Sequence, residues 1–465
     1  MADAPIHPAF LPRGEATAVP VTFVTAATWP ELRTGLDARQ RAFADAAGFE
    51  PRAGRHLLLP GPDGSLAGVL FAIENADDSQ PDRFRPGALA GVLPAGFYRF
   101  ANASHDARLA ALAFALACYR FARYRKADDK TVQLELPDGV DGDDLTRIVE
   151  GVFLARDLIN TPANDMGPPD LEYAARSLAT RHGATVRAIV GEDLIAENFP
   201  LIHAVGRAAD RAPRLIDIGW GDPSHPKITL IGKGVCFDTG GLDIKTESGM
   251  LNMKKDMGGA ASMLALAHML MDRGTNIRLR VLIPAVENAI SAAAFRPRDI
   301  YRSRKGLTVE IGNTDAEGRL ILADAIALAD EEEPELIADM ATLTGAARVA
   351  LGTEVVPFYT DDDALAAEVA RYAEAESDPL WRMPLWHPYD QLLDSKVADI
   401  NNVSSVSFAG SITAALFLRR FVSRAKVWLH GDIYAWNQTA RPGRPEGGEC
   451  QAARAIYALL VSRYG

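Results

Sequence analysis

Between Leu171 and Leu429 short apolar runs recur with room for a helix between many of them: Thr185–Val190, Leu215–Gly219, Ile228–Ile231, Leu279–Ile283, Leu307–Ile311, Leu336–Met340, Val355–Tyr359 and Val427–Leu429. Near-continuous apolar strands alternating with helices imply a largely parallel sheet covered by helices on both faces, because a parallel connection must cross a face of the sheet. In such sheets ligands bind beyond the carboxyl ends of the strands. Lys233 directly follows the third of these runs and Asn313 follows the fifth, so both are expected on that rim.

The region ahead of this pattern reads as a smaller α/β unit. His56–Pro60 and Leu66–Ile73 flank Gly61-Pro62-Asp63-Gly64, a hairpin signal; Asp106–Arg125 is Ala/Leu-rich and helical in pattern; Thr131–Leu136 alternates as a strand does. A polar, breaker-rich stretch from Pro137 to Asp144 marks a boundary, and a helix over about Leu145–Ile159 should end before Thr161-Pro162, since the residue preceding proline avoids the helix. We therefore expect an N-terminal domain over 1–142, a linker helix over 143–165 and a larger C-terminal domain over 166–465. The length of 465 residues suits roughly two to three domains.

A hydrophobic content of 48% with 24% charged residues is that of an ordinary globular chain with ample core. The net charge of −12 argues against general affinity for nucleic acid or an anionic membrane. Met1–Pro5 lacks the basic start and apolar run of a secretory signal, and no stretch reaches about 20 apolar residues, so a cytoplasmic location is expected. The three cysteines, Cys118, Cys236 and Cys450, match no zinc spacing, and buried thiols are expected at each. Cys236 lies two residues from Asp238 but has no histidine nearby in sequence to activate it as a nucleophile.

Chemistry concentrates in two segments. One carries Lys233, Asp238, Lys245 and Asp256; the other reads Asn313-Thr314-Asp315-Ala316-Glu317-Gly318-Arg319-Leu320. Glycines flank each acid, which lets backbone approach a ligand closely. Three aspartates and a glutamate converging in a cleft repel one another unless divalent cations neutralise them, and carboxylate oxygens suit Mg, Mn and Zn. Two dications balance four carboxylates. The chain has no His-Glu-x-x-His, Gly-x-Ser-x-Gly, phosphate-loop or Gly-x-Gly-x-x-Gly motif, which leaves the common zinc protease, serine hydrolase, P-loop and dinucleotide readings without support. His430, in Trp428-Leu429-His430-Gly431-Asp432, reads as a structural histidine near the rim.

Lys233-(x4)-Asp238-(x6)-Lys245-(x10)-Asp256 together with the eight-residue string from Asn313 to Leu320 resembles the cytosolic leucyl aminopeptidases, a family of two-metal exopeptidases. The resemblance covers about Ala155–Arg463 and includes Ala341-Thr342-Leu343-Thr344-Gly345. It implies that Asp238 and Glu317 bridge two metals, that Asp256 and Lys233 complete one and that Asp315 completes the other. Lys233 would then have to bind as a neutral amine, its pKa lowered by the adjacent dication and by burial. Two divalent ions per subunit are implied, Zn²⁺ or Mn²⁺ with Mg²⁺ or Co²⁺ as alternatives. By the same resemblance Lys245 steadies the developing oxyanion and Arg319 holds a bicarbonate that serves as general base. Met253, Thr342 and Gly345 would line the pocket for the first side chain, with a preference for leucine-like residues; Asn313 would contact the next residue and the Leu343 backbone the peptide unit. The substrates would be peptides with a free N-terminal amine and the assembly a homohexamer.

Two other readings remain open at this level. One is a binding or regulatory protein whose N-terminal domain contributes recognition; the other is a two-metal phosphoesterase, since carboxylate-bridged metals also serve phosphoryl chemistry.

Overall fold

The computed structural model describes residues 6–14, 16–126 and 129–465; the expectation for Met1–Pro5 falls outside them. The chain divides into two compact units, Met1–Phe153 with Gln438–Glu446, and Leu154–Asn437 with Gly447–Gly465. The division falls inside the helix Gly142–Asn160, which stops just ahead of Thr161-Pro162.

The first unit is built on a six-stranded sheet. His56–Pro60 pairs antiparallel with Leu66–Ala72, as the hairpin signal requires, and the remaining ladders are parallel. The helix expected over Asp106–Arg125 covers only Ala107–Ala117. Asp106 caps its start by accepting from Leu109 N, and at its far end Arg120 donates to the carbonyls of Ala117 and Tyr119, meeting acceptors that a terminating helix leaves bare. Cys118, at that terminus, is only partly buried, contrary to the expectation of three buried thiols.

The second unit carries a nine-stranded sheet. Its centre runs Val427–Asp432, Leu336–Ala341, Lys227–Gly232 and Arg278–Asn288, all mutually parallel, with Gly234–Asp238 also pairing parallel to the last of these. Antiparallel ladders join Arg214–Trp220, Thr185–Val190 and Val356–Tyr359 toward the two sides. Because side chains alternate across a strand, Ile231 and Ile337 face one layer, packed with the helices Glu317–Asp330, Pro200–Gly206 and Gly410–Arg419. The helix Gly258–Arg273 packs on the same central strands outside that cluster, backed by Ala453–Tyr464 and Pro168–His182. Asp363–Ala375 is amphipathic, burying Leu365, Ala366, Val369 and Ala373.

One expected strand lies elsewhere. Thr308–Glu310 belongs to a separate three-stranded sheet with Ile300–Arg302 and Ile400–Asn401, so Asn313 does not follow a strand of the main sheet. Val309 and Ile311 are nonetheless buried in the same core as the central strands. An apolar run reports burial, and burial alone does not say which sheet a strand joins. No described helix is long and apolar enough to cross a membrane.

Candidate metal centre and substrate cavity

Five connections converge past the carboxyl ends of the central strands. Lys233 sits between Lys227–Gly232 and Gly234–Asp238, anchored by its own N–H to the Met340 carbonyl and by its carbonyl to Ala260 N. Asp238 ends the second of those strands; Asp256 lies in the short 3-10 turn Met253–Met257 that leads into Gly258–Arg273; Glu317 opens Glu317–Asp330; Thr342 and Leu343 follow Leu336–Ala341.

Glycines here let main chain and side chain pack closely within the protein, a use additional to the ligand approach expected from the sequence. A β-carbon on Gly259 would stand 2.1 Å from the Met340 carbonyl oxygen and one on Gly258 would stand 2.2 Å from the Ala435 β-carbon. Both contacts would push the start of the helix Gly258–Arg273 away from the chain it packs on.

Asp238, Asp315 and Glu317 each offer an oxygen within 4.8 Å of the others. The Lys233 ammonium lies 2.8 Å from Asp256 Oδ2 and 2.9 Å from Glu317 Oε1, and donates to the Thr342 carbonyl at 2.8 Å. Lys245 pairs with Asp238 Oδ2 at 2.8 Å and with Asp315. The two lysine contacts to Asp256 and Glu317 are ion pairs by distance but not aligned hydrogen bonds. Asp256 Oδ2 and both Glu317 oxygens are therefore buried without a hydrogen bond among the described residues.

The electrostatics follow from burial and crowding. Burial, with Asp238 close by, lifts Glu317 to about 8 and Asp315 to about 6. Asp256 is raised for the same reasons, with Lys233 opposing. Burial works against a charge on Lys233, yet Asp256, Glu317 and Asp238 outweigh it and hold its pKa above the ordinary range; Lys245 behaves alike under Asp238 and Glu317. Without cations the lysines thus take up part of the carboxylates' charge. A hard, oxygen-rich donor set with orphaned buried oxygens fits divalent metal ions.

The sequence-named residues meet around one cavity of about 410 Å³: Lys233, Asp238, Lys245, Met253, Asp256, Asn313, Asp315, Arg319, Thr342, Leu343 and Gly345 all line it, while Glu317 lies buried outside that lining. Several have further duties. Thr342 Oγ1 donates to Asp256 Oδ1 at 2.7 Å; Asn313 Oδ1 accepts from Asp315 N at 2.7 Å; Leu343 N donates to Asp432 Oδ1 at 3.0 Å, so its carbonyl is the group left to meet a peptide. Arg319 has no carboxylate partner among the described residues. It donates to the Asn402 carbonyl at 2.7 Å, its Nε is buried without an acceptor, and burial lowers it to about 10. An orphaned guanidinium N–H fits an oxyanion such as bicarbonate.

Asp315 does not cap the following helix, whose N-cap position, Ala316, has no side-chain cap bond. Cys236 is buried and desolvation pushes its thiol pKa up, a setting that gives no support to the nucleophilic role weighed from the sequence. His430 is structural in setting: its Nδ1 meets Asp339 Oδ1 at 2.6 Å, Asp339 Oδ2 accepts from Trp428 Nε1 at 2.7 Å, and its ring stacks between Tyr359 and Trp428.

Sequence reasoning missed the residues that hold the site's loops in register. Asn288 Nδ2 donates to Asp238 Oδ1 at 2.9 Å and to the Thr314 carbonyl at 3.1 Å. Thr314 Oγ1 donates to the Gly240 carbonyl at 2.6 Å and accepts from Asp243 N at 2.9 Å. Asn402 Oδ1 accepts from Gly312 N and Asn313 N, while its Nδ2 donates to the Asn313 carbonyl. Thr314 stood inside the signature string; Asn288 lay past the Leu279–Ile283 run, which the structure extends to Arg278–Asn288, and Asn402 had no sequence signal at all.

A carboxylate cluster with interleaved lysines at the strand ends of an α/β sheet fits a metal-dependent hydrolase. Residues 153–457 match the cytosol aminopeptidase family, catalytic domain, and residues 19–137 match the M17 aminopeptidase, N-terminal domain. The chain belongs to the cytosol aminopeptidase family and is a metallo-aminopeptidase acting on peptides. It is 40% identical over 363 residues to a probable cytosol aminopeptidase of Syntrophotalea carbinolica, covering 74% of this chain and 73% of that one. A Corynebacterium glutamicum relative with the same name is 38% identical over 433 residues, covering 90% and 86%. Among solved structures, the cytosol aminopeptidase of Coxiella burnetii superposes with a TM-score of 0.93 at 45% identity, covering 98% of this chain and 100% of that one. Bottromycin maturation enzyme BotP in complex with Mn gives 0.86 at 32% identity, covering 96% and 100%.

Proposed function

We propose that this chain removes N-terminal residues, leucine-like or otherwise apolar, from peptides by a two-metal-assisted attack of water. The observation that carries the reading is the cluster of Asp238, Asp256, Asp315 and Glu317, in which Asp256 Oδ2, Asp315 Oδ1 and both Glu317 oxygens are buried without a hydrogen bond among the described residues and only Lys233 and Lys245 supply positive charge. Lys233, Asp238, Asp256, Asp315 and Glu317 would hold two divalent cations, with Mn²⁺ supported by the BotP complex. When bound, such a pair polarises the scissile carbonyl and lowers the pKa of the attacking water.

The chain's own groups supply the rest. Lys245 would direct its ammonium at the oxygen that becomes negative as the tetrahedral centre forms. Arg319 holds an oxyanion, bicarbonate, that accepts the proton from water. Asp256, fixed by Thr342, faces the substrate's free amine, so an internal peptide bond lacks an anchor there. Met253, Thr342 and Gly345 border the first side chain, and a flexible thioether accommodates leucine-like groups. The Leu343 carbonyl and Asn313 align the following residues. We take the working form to be a cytoplasmic homohexamer, as the resemblance implies.

The test is hydrolysis of leucyl-glycine and its N-acetyl derivative by protein loaded with Mn²⁺ or Zn²⁺. Cleavage of the free peptide only is expected; no turnover, or equal turnover of the blocked peptide, would overturn the reading.

A further inference from the structure

Two cationic side chains on the cavity wall keep donors without an acceptor among the described residues: the Lys255 ammonium and Nη1 of Arg348. Lys255 lines the cavity and is only 5% exposed, yet its ammonium makes no hydrogen bond or ion pair with a described residue. It lies 4.4 Å from the centroid of the Tyr434 ring, which softens its desolvation without neutralising it. The guanidinium of Arg348 stands 5.7 Å from the same centroid, also on the cavity wall. Its Nη2 is engaged by Asp432, but its Nη1 is buried with no acceptor.

The nearby acids do not fill these vacancies. Asp432 already accepts from Leu343 N, Thr344 N and Thr344 Oγ1 besides Arg348, and Asp256, whose Oδ1 takes the Thr342 hydroxyl and whose Oδ2 lies 2.8 Å from the Lys233 ammonium, forms no ion pair with Lys255. A desolvated ammonium without a counter-charge is costly, and an incoming anion that meets both Lys255 and the open Nη1 of Arg348 would relieve that cost.

We propose that Lys255 and the free Nη1 of Arg348 form a carboxylate subsite for the first side chain of the substrate, extending the enzyme's range from leucine-like residues to N-terminal glutamate. The placement favours the first side chain. Lys255 stands two residues from Met253, and Arg348 lies one helical turn past Gly345 on Gly345–Leu351, so both flank the groups assigned to that side chain. The aliphatic part of a glutamate would lie along Met253 while its carboxylate reaches the two donors. This proposal rests on the aminopeptidase reading above.

The experiment measures kcat/KM of the Mn²⁺-loaded enzyme and of Lys255→Met and Lys255→Arg on leucyl, glutaminyl and glutamyl 4-nitroanilides, and on leucyl-glycine against leucyl-glycinamide. Wild type should turn over the glutamyl substrate within tenfold of the leucyl one. Lys255→Met should lower the glutamyl-to-leucyl ratio at least tenfold, mainly through KM, with glutamine less affected and Lys255→Arg restoring most of the loss. A parallel fall on every substrate would make Lys255 a support of the metal cluster and overturn the proposal. A shift confined to leucyl-glycine against its amide would assign the subsite to a peptide C-terminus and overturn it equally. Wild type that cleaves leucyl but not glutamyl substrates refutes the subsite alone, independently of how any variant folds; loss of leucyl turnover in wild type removes the aminopeptidase reading as well.

Discussion

Gly318 leaves room for the end of Lys233: a β-carbon on it would stand 2.5 Å from Lys233 Cε and 2.7 Å from Nζ. Lys233 is the residue whose ammonium bridges Asp256 and Glu317, so the missing side chain of one residue sets the position of another.

Gly318→Ala is expected to displace that ammonium even though alanine is the better helix former, with an overpacking cost of about 1–3 kcal/mol. Isothermal titration with Mn²⁺ should show affinity reduced tenfold or more, and unchanged affinity would show that Lys233 can shift freely.

Chelation should abolish peptide hydrolysis and lower the melting temperature, with Mn²⁺ restoring both. At a free metal concentration about a hundredfold above Kd the added stability is ~2.7 kcal/mol. A melting curve indifferent to chelator and Mn²⁺ would mean that the cluster holds no metal.

Lys245→Met should lower kcat about a hundredfold or more with little change in KM, because its ammonium is assigned to charge that develops only during reaction. Equal losses in kcat and 1/KM would instead make it a ground-state binding group.

Asn288→Ala removes the donor that ties Asp238 to the Thr314 loop, leaving Asp238 Oδ1 with Gly240 N alone and the Thr314 carbonyl without this partner, at a cost of ~1–3 kcal/mol. The expected result is a lower melting temperature together with weaker Mn²⁺ binding. A drop in stability with unchanged metal affinity would confine Asn288 to a folding role.

Asp330 gives a pH signature remote from the metals. Burial disfavours its charge, but the amides of Ala425, Arg424 and Ser423 and the Ser423 hydroxyl outweigh that and depress its pKa. A depressed carboxylate stabilises the fold above its unfolded pKa and loses that contribution as pH falls through the folded one. Asp330→Asn should therefore destabilise at pH 7 by about 1–3 kcal/mol, and the gap from wild type should narrow below about pH 4. Melting curves at pH 3 and pH 7 with the same gap would contradict this.

Much of the architecture was legible because it depends on local periodicity. Thr185–Val190 was found at its observed bounds, and the Leu336–Met340 run extended by a single residue, since a strand buried on both faces announces itself as an apolar run. The helix after Asp106 was overextended because an Ala/Leu-rich composition continues past the point where Arg120 folds back on the last carbonyls. The order of strands was less accessible. Thr308–Glu310 looked like a member of the main sheet, and its partners Ile300–Arg302 and Ile400–Asn401 are too short to signal themselves.

The sequence by itself determined the ligand chemistry: which carboxylates and lysines are present, at spacings specific enough to identify the family. Only the tertiary structure decided how they act together. Asp256 is held by Thr342, Asp238 by Asn288 and the Asn313 loop by Asn402, and each bond joins residues 50 or more apart in the chain. The same folding left the Lys255 ammonium and Nη1 of Arg348 near one ring without acceptors among the described residues. Periodicity is a property of neighbouring residues, whereas the pairing and desolvation of a charge depend on what the closed fold brings beside it, which no local pattern encodes.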